Sequence, residues 1–301
     1  MDRAAVLEQF TTLNVWSRGD QRAPHKPLLA LYALARWAQG DQADIPFRDA
    51  DPVLTALLKE FGPFRKSYHS EYPFWRLQRD GVWNVHATGP LVARKGNTDP
   101  RKSDLLAHDA RGGFTPDVQA ALLADPTLIP EIAVRLLENH FPESLHGDIL
   151  AAVGLDLNYA WKKDRKRDPR FRQRVLTAYE WRCAVCGFDV RLGTLSVGLD
   201  AAHIRWHQAG GPDEERNGLA LCVLHHKTFD LGVFTVNDAG LLLVSDQAHG
   251  GVGFDEMVMR HHGNRVRAPQ RPEWKPETAF LDWHGREVFK GEARHLGETR
   301  G

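Results

Sequence analysis

Apolar residues recur at helical spacing through most of the first half of the chain. The stretch "KPLLALYALARWAQG" (26–40) predicts a nearly all-apolar helix stopped by Gly40, and "DPVLTALLKEFG" (51–62) repeats the pattern. In "YPFWRLQRDGVWNVH" (72–86) the aromatic alternation predicts two short strands around a turn at Asp80-Gly81. Helical spacing returns over 117–124 and in "PEIAVRLLENHF" (130–141). Between about 142 and 165 the periodicity weakens and charge rises, which predicts a boundary. The second half then reads as a helix in "FRQRVLTAYEWR", a cysteine turn, a strand ending near His203 and a Gly-rich loop. A short helix in "CVLHHKTFD" and a hairpin in "GVFTVNDAGLLLVSD" follow. The pattern is that of an α+β chain with domains at 1–145 and 166–301 joined by a linker, 146–165.

A length of 301 residues accommodates two domains, and 42% hydrophobic with 26% charged residues is ordinary for a globular chain. No apolar run is long enough to span a bilayer, and "MDRAAVLEQFTTLN" lacks the layout of a secretory signal, so a cytoplasmic address and no membrane partner are expected. The formal net charge is zero, so any polyanion partner must be met by local charge. The run "KKDRKRDPRFRQR" (162–174) is, read alone, more often a solvated linker or helix face, but its position just before the cysteines points to a phosphate-contacting arm.

Three cysteines leave a remainder after any disulfide pairing, and their spacing suits a metal instead. Cys183 and Cys186 form a Cys-x-x-Cys turn, and Cys222-Val-Leu-His225 supplies a second pair with imidazole replacing one sulfur. Two such pairs close a tetrahedron around Zn2+ with no open position, so that ion is structural. His226, next to His225, must point elsewhere, and Asp230 lies four residues on along the same helical face.

The motifs "CAVCG", "AAHI", "NGLALC" and "LHHKTFD" together resemble the HNH nuclease family over roughly 170–235. The resemblance implies a zinc-stabilised ββα-metal fold. It implies that His203 is the general base activating water and that Asn217 holds the loop and orients that base. It also implies that His226 binds a catalytic Mg2+, Mn2+ or similar ion with Asp230. Many members carry Asp or His immediately before the base; here that position is Ala202, and Asp200 is the substitute, although strand alternation predicts that it faces the other way.

In the first half, "RAPHKPLLAL" (22–31), "SEYPFWRL" (70–77) and "RLLENHFP" (135–142) resemble the sulfur-binding domain of McrA-like type IV restriction endonucleases, which cut phosphorothioate DNA. The resemblance places the sulfur contact on His25, Lys26, Tyr72 and Pro73, with Lys26 standing where an arginine is usual. Arg22, Arg101, Lys102 and Ser103 are candidates for neighbouring phosphates or base edges. A sulfur atom is larger than oxygen and a poorer hydrogen-bond acceptor, so an apolar notch such as Tyr72 and Pro73 can form favours it.

The expected fold is therefore α+β, a helix-rich N-terminal DNA-recognition domain followed by the zinc-stabilised HNH domain. The expected activity is modification-dependent cleavage of double-stranded, phosphorothioate-bearing DNA, with a homodimer as one route to cutting both strands. Recognition of a modified base or a plain sequence, or a zinc-containing DNA-binding protein with a dead nuclease fold, are the alternatives.

Overall fold

The computed structural model describes residues 2–15, 21, 23–92, 99–157 and 169–297. The chain divides into two compact units, Met1–Asp164 and Arg165–Gly301.

Unit 1 is built mainly of helices: α1 (Arg3–Thr11), α2 (His25–Ala38), α3 (Phe47–Phe61), α4 (Glu71–Arg76), α5 (Lys102–Ala107), α6 (Pro116–Ala124), α7 (Leu128–His140) and α8 (Glu143–Val153). The apolar run read in 26–40 becomes α2, with Leu28, Leu29, Leu31 and Leu34 fully buried, because α3, α4, α7 and α8 all pack around it. A helix buried on all sides loses the polar stripe that a surface helix keeps. Gly40 follows it at φ 85°, a left-handed conformation that glycine adopts without strain. Beside the helices lies a small antiparallel sheet of β1 (Ile45–Pro46), β2 (Trp83–His86) and β3 (Arg111–Phe114), in the order β1-β3-β2.

Two predicted features differ. The stretch 72–80 is not a strand: α4 runs into a 3-10 turn over Leu77–Asp80, and Gly81 at φ 74° ends it. Pro73 sits in the first helical turn, where its missing N–H costs little. Phe74 and Leu77, three residues apart, are fully buried, Phe74 lying 4.9 Å from Phe47 and 5.8 Å from Trp83. Packing at helical spacing overrides the strand preference of the aromatics. The segment read as a linker opens with α8, whose Leu145, Ile149 and Val153 form one buried face at four-residue spacing. The rest of that segment, from 158 on, lies outside the described residues, as do Arg22 and the basic run over 162–168.

Unit 2 opens with α9 (Pro169–Ala178), then β4 (Arg191–Leu192), β5 (Leu195–Ser196), β6 (Leu199–His203) and β7 (Gly218–Cys222). It continues through α10 (Val223–Asp230), β8 (Phe234–Val236), β9 (Leu242–Val244), α11 (Val252–Met257) and α12 (Thr278–Glu287). β6 and β7 pair antiparallel in the register Leu199↔Cys222 to His203↔Gly218. α10 follows β7 directly and packs on both strands, giving the ββα arrangement. α9 crosses the same pair; a Cβ at Gly218 would come within 2.5 Å of Val175, so only glycine permits this approach. The predicted hairpin is β8 and β9.

Candidate functional site

The four zinc candidates come together. Glu180 and Trp181 at positive φ turn the chain out of α9, and the amide of Gly187 donates to the Cys183 carbonyl, closing the Cys-x-x-Cys loop. Cys222 ends β7, and His225 lies one helical turn later on the inward face of α10, fully buried. Cys222 Sγ is 3.1 Å and Cys183 Sγ 3.6 Å from His225 Nδ1, and Cys186 Sγ is 4.0 Å from Cys222 Sγ. Tetrahedral bonds of about 2.3 Å to sulfur put ligand atoms roughly 3.8 Å apart. Among the described residues this is the one group whose ligand atoms all lie within 4.8 Å of one another. His225 Nε2 is 2.7 Å from the Met257 carbonyl oxygen, which takes the hydrogen there and turns Nδ1 towards the sulfurs. Burial alone would lower the proton affinity of this imidazole, but the Cys183 and Cys186 sulfurs outweigh it and raise its pKa to about 10. Hydrogen bonds from Cys186 and Cys222 hold the Cys183 thiol well below its ordinary range. So much sulfur around one imidazole is a pocket for a cation, and the donor set fits zinc.

His226 points away from that cluster, as adjacent positions on a helix must. Its Nε2 is 3.2 Å from Asp230 Oδ2 and its Nδ1 3.9 Å from Asp200 Oδ2. Asp200 therefore reaches the His226 side despite its position three residues before His203, because α10 crosses β6. The trio meets through different nitrogens of one imidazole, and Asp200 is also engaged by Arg172 Nε at 3.2 Å. Two carboxylates and an imidazole suit a hard divalent cation.

His203 lies at the end of β6 with Phe171 stacked on its ring at 4.1 Å and Asp213 Oδ1 2.7 Å from Nε2. Burial lowers its pKa, and Asp213 opposes the fall without cancelling it, so the imidazole is neutral at neutral pH. The side-chain hydrogen bonds of Asn217 go elsewhere. Its fully buried amide donates to the carbonyls of Arg205 and Pro212, both at 2.9 Å, and its Oδ1 accepts from the Arg205 amide at 2.8 Å. Asn217 thus clamps the loop between β6 and β7. Asp213, Phe171 and Arg172 were not singled out by the sequence pattern; the only local signal was the Gly-rich loop "GGPDEERN" that carries Asp213.

In unit 1, His25, Lys26, Tyr72 and Pro73 line one cavity of about 750 Å³. His25 is held neutral: burial, then the charges of Arg65 and Arg76, push its pKa down to about 4. Lys26 is committed inside the protein, with Nζ 2.5 Å from Asp80 and 2.8 Å from the Asn14 carbonyl, and only 11% of its side chain exposed. Arg65, Lys66, Arg76 and Arg79 line the same cavity. Arg76 forms a two-pronged pair with buried Asp99 and lies 4.3 Å from the Tyr72 ring centre, on which His69 also stacks at 4.6 Å. The dipeptide Arg65-Lys66 in "FRKSYHSEYP" was the available signal. Arg101, Lys102 and Ser103 are not among the lining residues; Lys102 pairs with Asp51 at 2.6 Å and Ser103 donates to Asp104 at 3.2 Å.

A zinc-type knuckle, a ββα hairpin and a histidine at the strand end define unit 2 as an HNH-type domain, and residues 183–237 match the HNH endonuclease family. Residues 3–158, just over half of the chain, match the ScoMcrA-like DNA sulfur-binding domain. The chain belongs to that sulfur-binding family. The solved sulfur-binding domain of ScoMcrA, complexed with phosphorothioated DNA, is 22% identical with a TM-score of 0.43, over 50% of this chain and 94% of that one. The SprMcrA sulfur-binding domain, also complexed with phosphorothioated DNA, is 20% identical with a TM-score of 0.41, over 52% and 95%. Against ScoMcrA, described as a type IV phosphorothioation-dependent restriction endonuclease, the match is 22% identical with a TM-score of 0.41 and spans 50% of this chain but 27% of that enzyme. No curated protein matches the chain. Among the described residues no helix is long and apolar enough to cross a membrane.

Proposed function

We propose that the chain is a modification-dependent DNA endonuclease of the cytoplasm, in which unit 1 recognises a phosphorothioate in double-stranded DNA and unit 2 hydrolyses a nearby phosphodiester. The observation that carries this reading is the cavity of unit 1, where neutral His25, Tyr72 and Pro73 meet and arginines supply the charge. A phosphorothioate asks for both at once: apolar surface for a sulfur that gives up water cheaply, and cations for the charge that remains. Tyr72 and Pro73 offer the first. Arg65, Lys66 and Arg79 on the same lining offer the second, with Arg76, paired with Asp99, beside the Tyr72 ring.

In unit 2 the Cys183, Cys186, Cys222 and His225 set would hold a structural Zn2+ that ties α10 to the cysteine turn. A divalent cation such as Mg2+ or Mn2+, held by His226 and Asp230 with Asp200 beside them, would neutralise the scissile phosphate and stabilise the leaving oxygen. His203, neutral at neutral pH, takes the proton of the attacking water. Asn217 keeps the loop behind it closed. Each chain carries one such site, so cutting both strands calls for a homodimer on the duplex or two visits by one chain.

The test is binding of two matched duplexes, one carrying a single phosphorothioate. The modified duplex should bind more tightly, and Tyr72→Ala should narrow the gap. Equal affinity of the parent for both duplexes refutes the reading.

A further inference from the structure

An imidazole acts as a base only through the nitrogen that carries a lone pair, while the other nitrogen carries the hydrogen. At His203 the group that can fix this choice is Asp213, whose Oδ1 lies 2.7 Å from Nε2. The Phe171 ring, stacked at 4.1 Å and 15° from parallel, sets the plane in which the imidazole lies.

The carboxylate is held in turn from behind. Pro212, its neighbour, has its carbonyl bound by Asn217 Nδ2 at 2.9 Å. Arg174 donates to the Asp213 carbonyl while pairing with Glu215 at 3.3 Å. The hydrogen bonds of the Asn217 side chain therefore reach His203 through the loop that carries Asp213.

We propose that Asp213 is the positioning residue of the nuclease site, an inference that rests on the nuclease reading above. By accepting the Nε2 hydrogen it holds His203 in the tautomer whose Nδ1 carries the lone pair, and it stabilises the imidazolium that forms. As the water oxygen bonds to phosphorus and the P–O ester bond breaks, the water proton comes to rest on Nδ1. The Nε2 hydrogen stays in place, and the released oxygen takes its proton from solvent.

The other groups near the imidazole are His207, 6.2 Å away, and Asp230 from α10. From α9 come Arg172 and Arg174, each already paired with a carboxylate, Asp200 and Glu215. Among the described residues, Asp213 is the one in hydrogen-bond contact with the ring.

The experiment compares parent, Asp213→Asn, Asp213→Glu and His203→Ala in single-turnover cleavage of a phosphorothioate duplex with Mg2+ across pH, with melting temperature and duplex affinity as controls. Asn preserves shape and an acceptor oxygen but removes the charge. The plateau rate should fall about tenfold to a hundredfold in Asp213→Asn. The acid limb should move to lower pH, because the imidazolium has lost its counter-charge. Asp213→Glu should recover part of the rate. A parental plateau and limb in Asp213→Asn overturn the inference, and so does a uniform fall with the limb unmoved, which marks a merely structural loss. If Asp213→Asn is unaffected while His203→Ala is dead, the nuclease reading stands and this inference alone fails. If His203→Ala cuts as the parent does, or the parent cuts nothing, the nuclease reading itself fails and takes the inference with it.

Discussion

Gly211→Ala is a small change with a large expected effect. A Cβ on Gly211 would lie 1.8 Å from the Arg205 carbonyl oxygen, 2.7 Å from its carbon and 2.8 Å from Asn217 Nδ2. Carbon and oxygen sit no closer than about 3.3 Å even in favourable contact, so the two strands of the loop must part by roughly 1.5 Å. The first two of these atoms are backbone, and the third is a side-chain end held by two hydrogen bonds. The Arg205 carbonyl accepts from Asn217 at 2.9 Å, and the Gly211 amide donates to Trp206 at 3.0 Å. Leaving the buried Asn217 amide short of a partner costs about 1–3 kcal/mol, and with the second bond weakened the total is about 2–4 kcal/mol. For a domain of this size that is a fall in melting temperature on the order of 10 °C. Asp213, two residues on, shifts with the loop, and a displacement of about 1 Å at a reacting site costs roughly a hundredfold in rate. Gly251→Ala is the control, because nothing lies within 4 Å of a Cβ there. Thermal melting and single-turnover cleavage of the two variants decide the matter. A Gly211→Ala protein that melts and cuts like Gly251→Ala refutes the reasoning.

Lys26→Met strands Asp80, of which 3% of the side chain is exposed, and should destabilise unit 1 by about 3–5 kcal/mol in denaturant unfolding. Lys26→Met with Asp80→Asn should regain part of it, and loss of DNA affinity with stability intact would restore Lys26 to the binding surface. His25 and His140 are both held by burial to a pKa of about 4 when folded, against 6.5 as a free side chain. The unfolded chain thus binds more protons between those values, so the stability of unit 1 should fall as pH drops from 6.5 towards 4 and level off below. His140→Leu should flatten that slope, and an unchanged slope contradicts the assignment. On the proposed reading, Cys222→Ser should lower the zinc content found by metal analysis and the melting of unit 2, while the affinity of unit 1 for the modified duplex is unchanged. Full zinc retention would remove Cys222 from the ligand set.

How legible each part was depended on the range of the interaction that decides it. The zinc set was legible because Cys-x-x-Cys and Cys-x-x-His are local spacings that impose one geometry. His226 and Asp230 were legible as a pair for the same reason, being one helical turn apart. Asp213 was not, because its bond to His203 closes a ten-residue loop whose shape depends on Asn217 and on the glycine at 211. The strand expected over 72–80 failed where Phe74 had to choose between propensity and the aromatic cluster of Phe47 and Trp83. The partner of Lys26 was not legible, because Asp80, which also accepts from the Asn14 amide at 2.6 Å, stands 54 residues away. Charge in a sequence marks what can bind a phosphate, but only the fold tells which charges are already spent on one another.

The most direct test is the cleavage of two duplexes identical but for one phosphorothioate, incubated with the parent protein and Mg2+ at equal concentration. The account predicts cutting of the modified duplex alone, and a His203→Ala variant that binds this duplex and leaves it whole. Equal cutting of both duplexes, or undiminished cutting after every divalent ion has been chelated, would contradict it.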